Sequence, residues 1–295
     1  MGAGPGRAAD GSAEDGSGLD AVVLLGNSRW HWAELGAWDR AAATGITNRE
    51  GPLAAAGLRC FHSPVAPHPL PIPPARWRAW ASVGELPLAW DLPAGRRLTL
   101  EQVPLGAMPP WLGIDRALVG WGAWRRQSLI SPGASVLVAD AGTALSLTLV
   151  AGDGRFCGGR LAAGVTLQLR ALAGGTALLP ELDQAWWQDP IPGPWPLETR
   201  AAMVRGCLEA GAAAIAQAWR QACGQVGSPR SAGACQLWLT GGDGEAMAPL
   251  LAAEGVPFTA APNLALESLA ALAWDRLKPA LSPSGSGRPW FRPSP

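Results

Sequence analysis

The chain is almost without lysine. Of its 23 basic residues only Lys278 is a lysine, and it lies beside a C-terminal segment rich in proline, glycine and serine. A Walker-type phosphate loop needs a lysine in a GxxxxGK[ST] pattern, and a Schiff-base enzyme needs a buried lysine. Both chemistries are therefore excluded, and a nucleotide would have to be held by other glycine-rich turns.

Other patterns are also missing. The five cysteines never form CxxC, the three histidines have no metal-ligand spacing, and HExxH, GxSxG and a strict GxGxxG do not occur. The 23 acidic residues balance the 23 basic ones, which argues against a nucleic-acid partner. No stretch of about 18 or more apolar residues runs without a charged residue, so no membrane span is expected. A cytoplasmic protein with small-molecule partners fits best.

The length of the chain permits one large domain or two lobes of ordinary size. With 295 residues and 48% hydrophobic content the chain can bury a large core. We expect a disordered tail over 1–19, an N-terminal lobe over 20–130, a C-terminal lobe over 131–279 and a flexible tail over 280–295. The N-terminus lacks the apolar segment of a signal peptide and carries acidic residues that a transit peptide avoids.

Strand patterns open both lobes. Residues 21–35 predict a hairpin that turns at Gly26 and Asn27, with Trp30 and Trp32 on one face. Residues 136–159 predict three antiparallel strands, and the first is interrupted by Asp140. A carboxylate there could form a hairpin corner, coordinate a cation or phosphate, or belong to a nucleotide loop.

Helical periodicity marks four segments. Residues 113–127 predict a helix with Asp115 placed to cap its start, ended by Pro132 and Gly133. Residues 165–175, 200–222 and 263–277 also predict helices, with a strand from 236 between the last two. Between 50 and 112 only short elements joined by proline-containing loops are expected.

The two halves start alike. When residues 22–35 are set beneath 138–151, Gly26 falls under Gly142 and Asn27 under Thr143. This weak repeat suggests two lobes built on one plan, each with a glycine turn facing a shared cleft, although chance could produce so short a match.

Four separated motifs carry a resemblance to a known family. They are GNSR at 26–29, LGIDRAL at 112–118, DAGTA at 140–144 with the following FCGGRLAAGV, and LTGGDGE at 239–245. In this order and spacing, over roughly residues 21–278, they resemble the type III pantothenate kinases of the acetate-and-sugar-kinase, heat-shock-protein and actin superfamily.

The resemblance implies an α/β fold of two ribonuclease-H-like (actin-like ATPase) lobes, each a mixed sheet with helices, with a cleft between them. It also implies ATP-dependent phosphorylation of pantothenate, the first step of coenzyme A biosynthesis, with Mg²⁺ and a monovalent cation (K⁺ or NH₄⁺), in a homodimer. Glycine turns that bring backbone N–H groups close to phosphate oxygens would make the missing lysine unnecessary.

Residue roles follow from the same resemblance. Asp115 would be the general base for the pantothenate hydroxyl, and Asp140 would bind the monovalent cation. The substrate would be bound by Gly113, Ile114, Asp115, Arg116 and Thr199. ATP would be bound by Leu24, Leu25, Gly26, Asn27, Ser28, Arg29, Trp30, His31, Thr143, Gly241 and Gly242.

Simpler structural roles compete with these. Asp115 and Thr199 could be helix caps, Asp140 could bond only turn amides, and the glycines after Thr240 could simply end a strand.

The chain departs from the family pattern at two points. Leu24 stands where the family has an aspartate that helps to place Mg²⁺, and the family's tyrosine before GxDR has no counterpart, since Pro109, Pro110 and Trp111 occupy that approach. A sugar kinase of the same superfamily and a non-catalytic binding or regulatory homologue are therefore the alternative readings.

Overall fold

The computed structural model describes residues 20–35, 58–85, 91–182, 186, 190, 193–225 and 235–277. The predicted tails lie outside these residues, as does Lys278. None of the helices in this part of the chain is long and apolar enough to cross a membrane.

The first sheet has four strands in the order β3-β2-β1-β4. β1 is antiparallel to β2 and parallel to β4, and β2 is antiparallel to β3. The strand bounds are Ala21–Leu25 (β1), Arg29–Glu34 (β2), Arg59–Pro64 (β3) and Trp77–Ser82 (β4). The predicted hairpin at 21–35 is therefore confirmed.

The second sheet repeats this plan and adds one strand, in the order β7-β6-β5-β8-β9. The directions of β5, β6, β7 and β8 match those of β1, β2, β3 and β4. The bounds are Val136–Ala141 (β5), Ala144–Val150 (β6), Phe156–Ala163 (β7), Gln236–Thr240 (β8) and Thr259–Ala260 (β9). The three predicted antiparallel strands are confirmed, and so is the fold class of two ribonuclease-H-like lobes.

Within the described residues, five helices pack around the sheets. They are α1 (Ile114–Ile130), α2 (Val165–Gly175), α3 (Thr199–Gln225), α4 (Gly244–Ala253) and α5 (Leu264–Leu277). Short 3₁₀ turns occupy Pro74–Arg76, Ala94–Arg96 and Leu100–Gln102. The helix α4 was not predicted, because Pro249 within it argues against a helix interior.

The start of α1 corrects one prediction. Gly113, not Asp115, is the N-cap residue and makes no side-chain cap bond, although the Asp115 carboxylate accepts the Arg116 N–H within the first turn. Asp115 is the second residue of the helix, so its carboxylate lies beside the first turn instead of in front of it.

Helices α1 and α5 separate the two sheets. α1 packs on β5 and β6, α5 packs on β1, β2 and β4, and the two helices pack against each other. Their buried faces form one apolar core with Val22 and Leu24 of the first sheet and Val136 and Val138 of the second. Because this core joins both sheets, it fixes where the strand ends of one lobe lie relative to the other.

The outer faces are covered differently. The second sheet buries Leu137 and Leu239 beneath α2, α3 and α4. The first sheet buries a tryptophan cluster of Trp30, Trp32, Trp77 and Trp80. The rings of Trp30, Trp32 and Trp77 lie 5.4 to 6.5 Å apart in tilted or edge contacts, so they fill a core and are not free to stack on a ligand.

Candidate active site

The two hairpin turns meet across the lobes. The turn between β1 and β2 carries Ser28, the equivalent turn between β5 and β6 carries Thr143, and the hydroxyl oxygens of these residues are 2.9 Å apart. Both residues are exposed. The matching hairpin turns of the two lobes therefore face each other, as the internal repeat suggested.

Asp140 lies at the carboxyl end of the central strand β5. Its register partners are Ser146 on β6 and Thr240 on β8. Burial raises the pKa of Asp140 to about 7, and the nearby Asp115 and Asp243 carboxylates contribute to this rise. Such a carboxyl is costly to ionise unless a cation or donor approaches it.

Asp115 approaches from α1. Its Oδ1 atom accepts a hydrogen bond from the Arg116 backbone N–H at 2.8 Å. Burial raises the pKa of the Asp115 carboxyl, while this hydrogen bond and the Arg116 charge act in the opposite direction. Asp115 is therefore a partly desolvated carboxylate held in one orientation, close enough to Asp140 to affect its ionisation.

Arg116 crosses from α1 to strands β6 and β7. Its Nε lies 3.4 Å from the Thr148 hydroxyl, and its guanidinium carbon is 5.9 Å from the centre of the Phe156 ring. A Cβ at Gly159 would overlap the guanidinium, so glycine at that position makes room for it. The side chain is thus positioned by three contacts on the second lobe.

Gly241 forms a close turn against Asp140. Its φ of +88° is in the region that favours glycine, and an added Cβ would lie 2.6 Å from Asp140 Oδ1 and would also overlap the Ala141 carbonyl. Gly242 is next to it and has open space around its Cα. The glycine pair therefore allows the end of β8 to lie directly against the acidic cluster.

Asp243 was not predicted as a site residue, although it lies within the LTGGDGE motif. Its backbone N–H donates to the Ala141 carbonyl at 2.8 Å, and its carboxylate accepts the Val165 N–H at the start of α2. Burial raises its pKa to about 6, opposed by this hydrogen bond and by the Arg29 charge. The sequence feature that could have identified Asp243 is its position directly after the Thr-Gly-Gly turn.

The turn between β1 and β2 exposes its backbone and its polar side chains, whereas the apolar side chains on either side of it are buried. Leu24, Leu25 and Trp30 are buried in the cores on the two faces of the first sheet. Asn27, Ser28 and Arg29 are exposed and Gly26 is half-buried, with its N–H bonded to the Arg29 carbonyl at 3.0 Å. Any ligand of this stretch would meet exposed polar groups and the turn, not the buried side chains.

The remaining predicted residues are dispersed. Ile114 is buried in the core between the lobes, and Gly113 precedes it as the N-cap of α1. Thr199 is exposed at the first residue of α3, where the Glu198 carboxylate accepts the Ala201 N–H at 2.9 Å. The cap of α3 is therefore Glu198.

The acidic side chains around Asp140 determine which kind of cation the site could hold. Among the residues that the structure describes, no group of three or more His, Cys, Asp or Glu side chains is arranged to hold a metal ion. The desolvated Asp140, flanked by two acids, nevertheless suits a cation that completes its shell with water, backbone carbonyls and ligand oxygens. The chain fits a cation of that kind and offers no closed protein cage within the described ranges.

The paired lobes and facing turns define the architecture of the acetate-and-sugar-kinase, heat-shock-protein and actin superfamily. Within it, residues 100–221 match the family model of type III pantothenate kinase. Proteins named type III pantothenate kinase from Thermosynechococcus vestitus and Synechococcus sp. strain JA-2-3B'a(2-13) are 40% and 39% identical, each over 203 residues. These alignments cover 68% and 67% of this chain and 70% and 73% of the relatives.

The Synechococcus elongatus protein of the same name is 31% identical over 248 residues, which cover 78% of this chain and 87% of the relative. The chain belongs to the type III pantothenate kinase family.

Proposed function

We propose that the chain transfers the γ-phosphoryl group of ATP to the hydroxyl of pantothenate and so forms 4'-phosphopantothenate, the first step of coenzyme A biosynthesis. The observation that carries this proposal is the position of Asp115, a desolvated carboxylate on α1 that is close enough to Asp140 to raise its pKa, while Asp140 itself lies against the Gly241 turn. Family membership supplies the substrate class.

Asp115 acts as the general base. Burial raises its pKa, which makes it a better proton acceptor than an exposed aspartate, and the Arg116 N–H keeps one oxygen occupied so that the other is available. Phosphoryl transfer asks the protein mainly to position reactants and to neutralise charge, so one oriented carboxylate suffices for the proton.

The glycine turns hold the triphosphate. We assign the triphosphate to the backbone N–H groups and exposed polar side chains of residues 24–31 and to Thr143, Gly241 and Gly242. The contact between the Ser28 and Thr143 hydroxyls, which brings the two hairpin turns together, supports this assignment. Leu24, Leu25 and Trp30 take part through their backbone only, because their side chains are buried.

Cations complete the site. Asp140, with backbone carbonyl oxygens, would hold a K⁺ or NH₄⁺ ion, and Mg²⁺ brought by the nucleotide would neutralise phosphate charge. A bound cation stabilises the ionised form of Asp140, which the neighbouring acids otherwise disfavour.

We place the pantothenate pocket at the start of α1, next to Gly113, Ile114 and Asp115, where the Arg116 guanidinium is available for polar substrate groups. The hydroxyl of Thr199, at the exposed start of α3, is assigned to the substrate by the family resemblance alone.

A homodimer in the cytoplasm completes the proposal, with lobes bounded at 20–130 and 131–279. Its support is an exposed apolar surface on β7, α2 and the segments that flank α2 and α3. Leu178, Trp195 and Leu197 are more than nine-tenths exposed there, and Leu161 is 65% exposed. Patches of this kind are typical of subunit interfaces.

A coupled assay of ADP release tests the reaction. We expect turnover with pantothenate, none with hexoses, and slower turnover when K⁺ is replaced by Na⁺. Turnover with a hexose alone would indicate a sugar kinase. Nucleotide binding without ADP release would contradict the enzyme assignment, and equal rates in K⁺ and Na⁺ would contradict the role of Asp140.

A further inference from the structure

Two histidines pair on the first sheet. His31 on β2 and His62 on β3 are register partners, and their Nδ1 atoms are 2.8 Å apart. Their ring centres are 4.8 Å apart at an interplanar angle of 74°. At this distance one Nδ1 carries a proton that the other accepts.

The pair reaches the first glycine turn. His31 is also the register partner of Leu24, the residue that occupies the family's aspartate position and corresponds to Asp140 in the repeat. The other ring nitrogen of His31 lies against the turn, because a Cβ added at Gly26 would be 3.4 Å from His31 Nε2. The turn that lacks a carboxylate therefore has an imidazole beside it.

Both rings are neutral near pH 7. Burial lowers the pKa of His31 to about 4, assisted by His62 and the Arg29 charge. Burial and the Arg29 charge also lower the pKa of His62. In a neutral ring the proton lies on one nitrogen only, so the bond at Nδ1 decides whether Nε2 of His31 is a donor or an acceptor.

We infer that His62 is a positioning residue for nucleotide binding: its Nδ1–H donates to His31 Nδ1, which fixes the His31 proton on Nε2, and this Nε2–H donates to a phosphate oxygen at the first turn. The opposite tautomer would present a lone pair to an anionic oxygen. This inference rests on the proposed ATP site. At the turn after Leu24, an uncharged imidazole N–H would then donate a hydrogen bond to phosphate, where the family has a carboxylate that helps to place Mg²⁺.

Imidazole nitrogen NMR tests the tautomers directly. The sequence has only three histidines, so the spectrum contains His31, His62 and the exposed reference His68. We expect His31 as the Nε2–H form and His62 as the Nδ1–H form, and we expect the His31 Nε2 signal to move when ADP is added without Mg²⁺. His31 in the Nδ1–H form, or unmoved by ADP, would overturn the inference.

Substitutions at His62, whose ring is only partly buried, separate the effect on His31 orientation from the effect on packing. His62→Phe keeps a ring but removes the donor, so the Kd for ADP measured by calorimetry in EDTA should rise about tenfold. His62→Asn retains an N–H near the Nδ1 position and should bind within about threefold of wild type. The control His68→Phe should match wild type. Equal effects of the Phe and Asn variants, or none, would contradict the inference.

Failure of this inference and failure of the proposed function would give different experimental results. ADP binding and the His31 signal require no pantothenate, so a protein that binds ADP as expected but releases none from ATP would disprove only the kinase reaction. An active kinase whose His31 signal ignores ADP would disprove only the role of the histidine pair.

Discussion

The hydroxyl of Thr143 lies 2.9 Å from the hydroxyl of Ser28, and this contact joins two lobes whose turns are 115 residues apart in the chain. In this contact the Thr143 hydroxyl donates and the Ser28 hydroxyl accepts. A phosphate that enters between the turns would accept a hydrogen bond from each, and a charged acceptor forms the stronger bonds. The junction is therefore suited to exchange an internal hydrogen bond for two bonds to an anion.

Replacing Asp115 by asparagine tests the base. The amide would keep the size of the side chain but could not take a proton, so kcat should fall by roughly 10² to 10⁴. Stability should not fall, since burial already disfavours the charged form of Asp115. Coupled ADP release and urea unfolding measure the two quantities.

The control for this substitution is Asp153→Asn. Asp153 is exposed in the turn between β6 and β7 and is paired with Arg155 at 2.7 Å. Its replacement should leave kcat unchanged. Wild-type turnover in Asp115→Asn would contradict the assignment of the base, and an equal loss in both variants would attribute the effect to net charge.

Gly241→Ala tests the turn against Asp140. The new Cβ would overlap the Ala141 carbonyl and approach Asp140 Oδ1 to 2.6 Å at a φ of +88°, so we expect the free energy of unfolding to fall by about 1 to 3 kcal/mol. The neighbouring Gly242→Ala, with open space around it, should change stability by less than about 1 kcal/mol. Equal stability of the two variants would show that the turn adapts.

The strand pattern of the sequence was sufficient to predict much of the fold. Hairpin turns at Gly26 and Gly142 were visible because glycine interrupts strongly apolar runs, and these runs became central strands in both sheets. α4 escaped prediction, because Pro249 obscures a helix that is stabilised by burying Met247 and Leu251 in the second core.

The site was predictable only in part. Asp115 and Asp140 could be singled out because each is an acid within a motif. No local pattern could place Asp243 against α2 or His62 beside His31, since these contacts depend on how strands and helices distant in sequence come together. The side-chain burial of Leu24, Leu25 and Trp30 likewise depends on tertiary packing.

The stability of the unliganded protein should depend on Asp140 in a defined pH window. Its pKa is about 7 in the fold against an ordinary value of 3.8, so between these values the folded state keeps a proton that the unfolded state has released. Stability contributed by this group is therefore present below about pH 4 and lost as pH rises towards 7.

Asp140→Asn removes this loss. Relative to wild type, the variant should gain stability between about pH 5 and pH 8, on the order of 2 kcal/mol. His31, Asp115 and Asp243 titrate in both proteins, so the difference between the two proteins in urea unfolding at both pH values reports Asp140 together with its coupling to Asp115 and Asp243. A difference that does not vary with pH would contradict the raised pKa.

Gly122→Ala tests the helix contact that fixes Asp115 relative to the first lobe. α1 crosses α5 where an added Cβ would overlap the hydroxyl of the fully buried Ser268, which donates to the Leu264 carbonyl at 2.6 Å. We expect the free energy of unfolding to fall by about 1 to 3 kcal/mol, because a rigid helix pair cannot absorb a methyl group there.

Two further variants make that test specific. Adding Ser268→Ala removes the overlapping oxygen and should restore at least about half of the lost stability, which a double-mutant cycle measures as coupling. Gly206→Ala in α3, where no atom approaches the new methyl, should be neutral or stabilising by up to about 1 kcal/mol. Additive effects of the Gly122 and Ser268 changes would show that the Ser268 hydroxyl is not what resists the new methyl group. An unchanged stability of Gly122→Ala would show that the helices separate without cost, and α1 could then not hold Asp115 in a fixed position between the lobes.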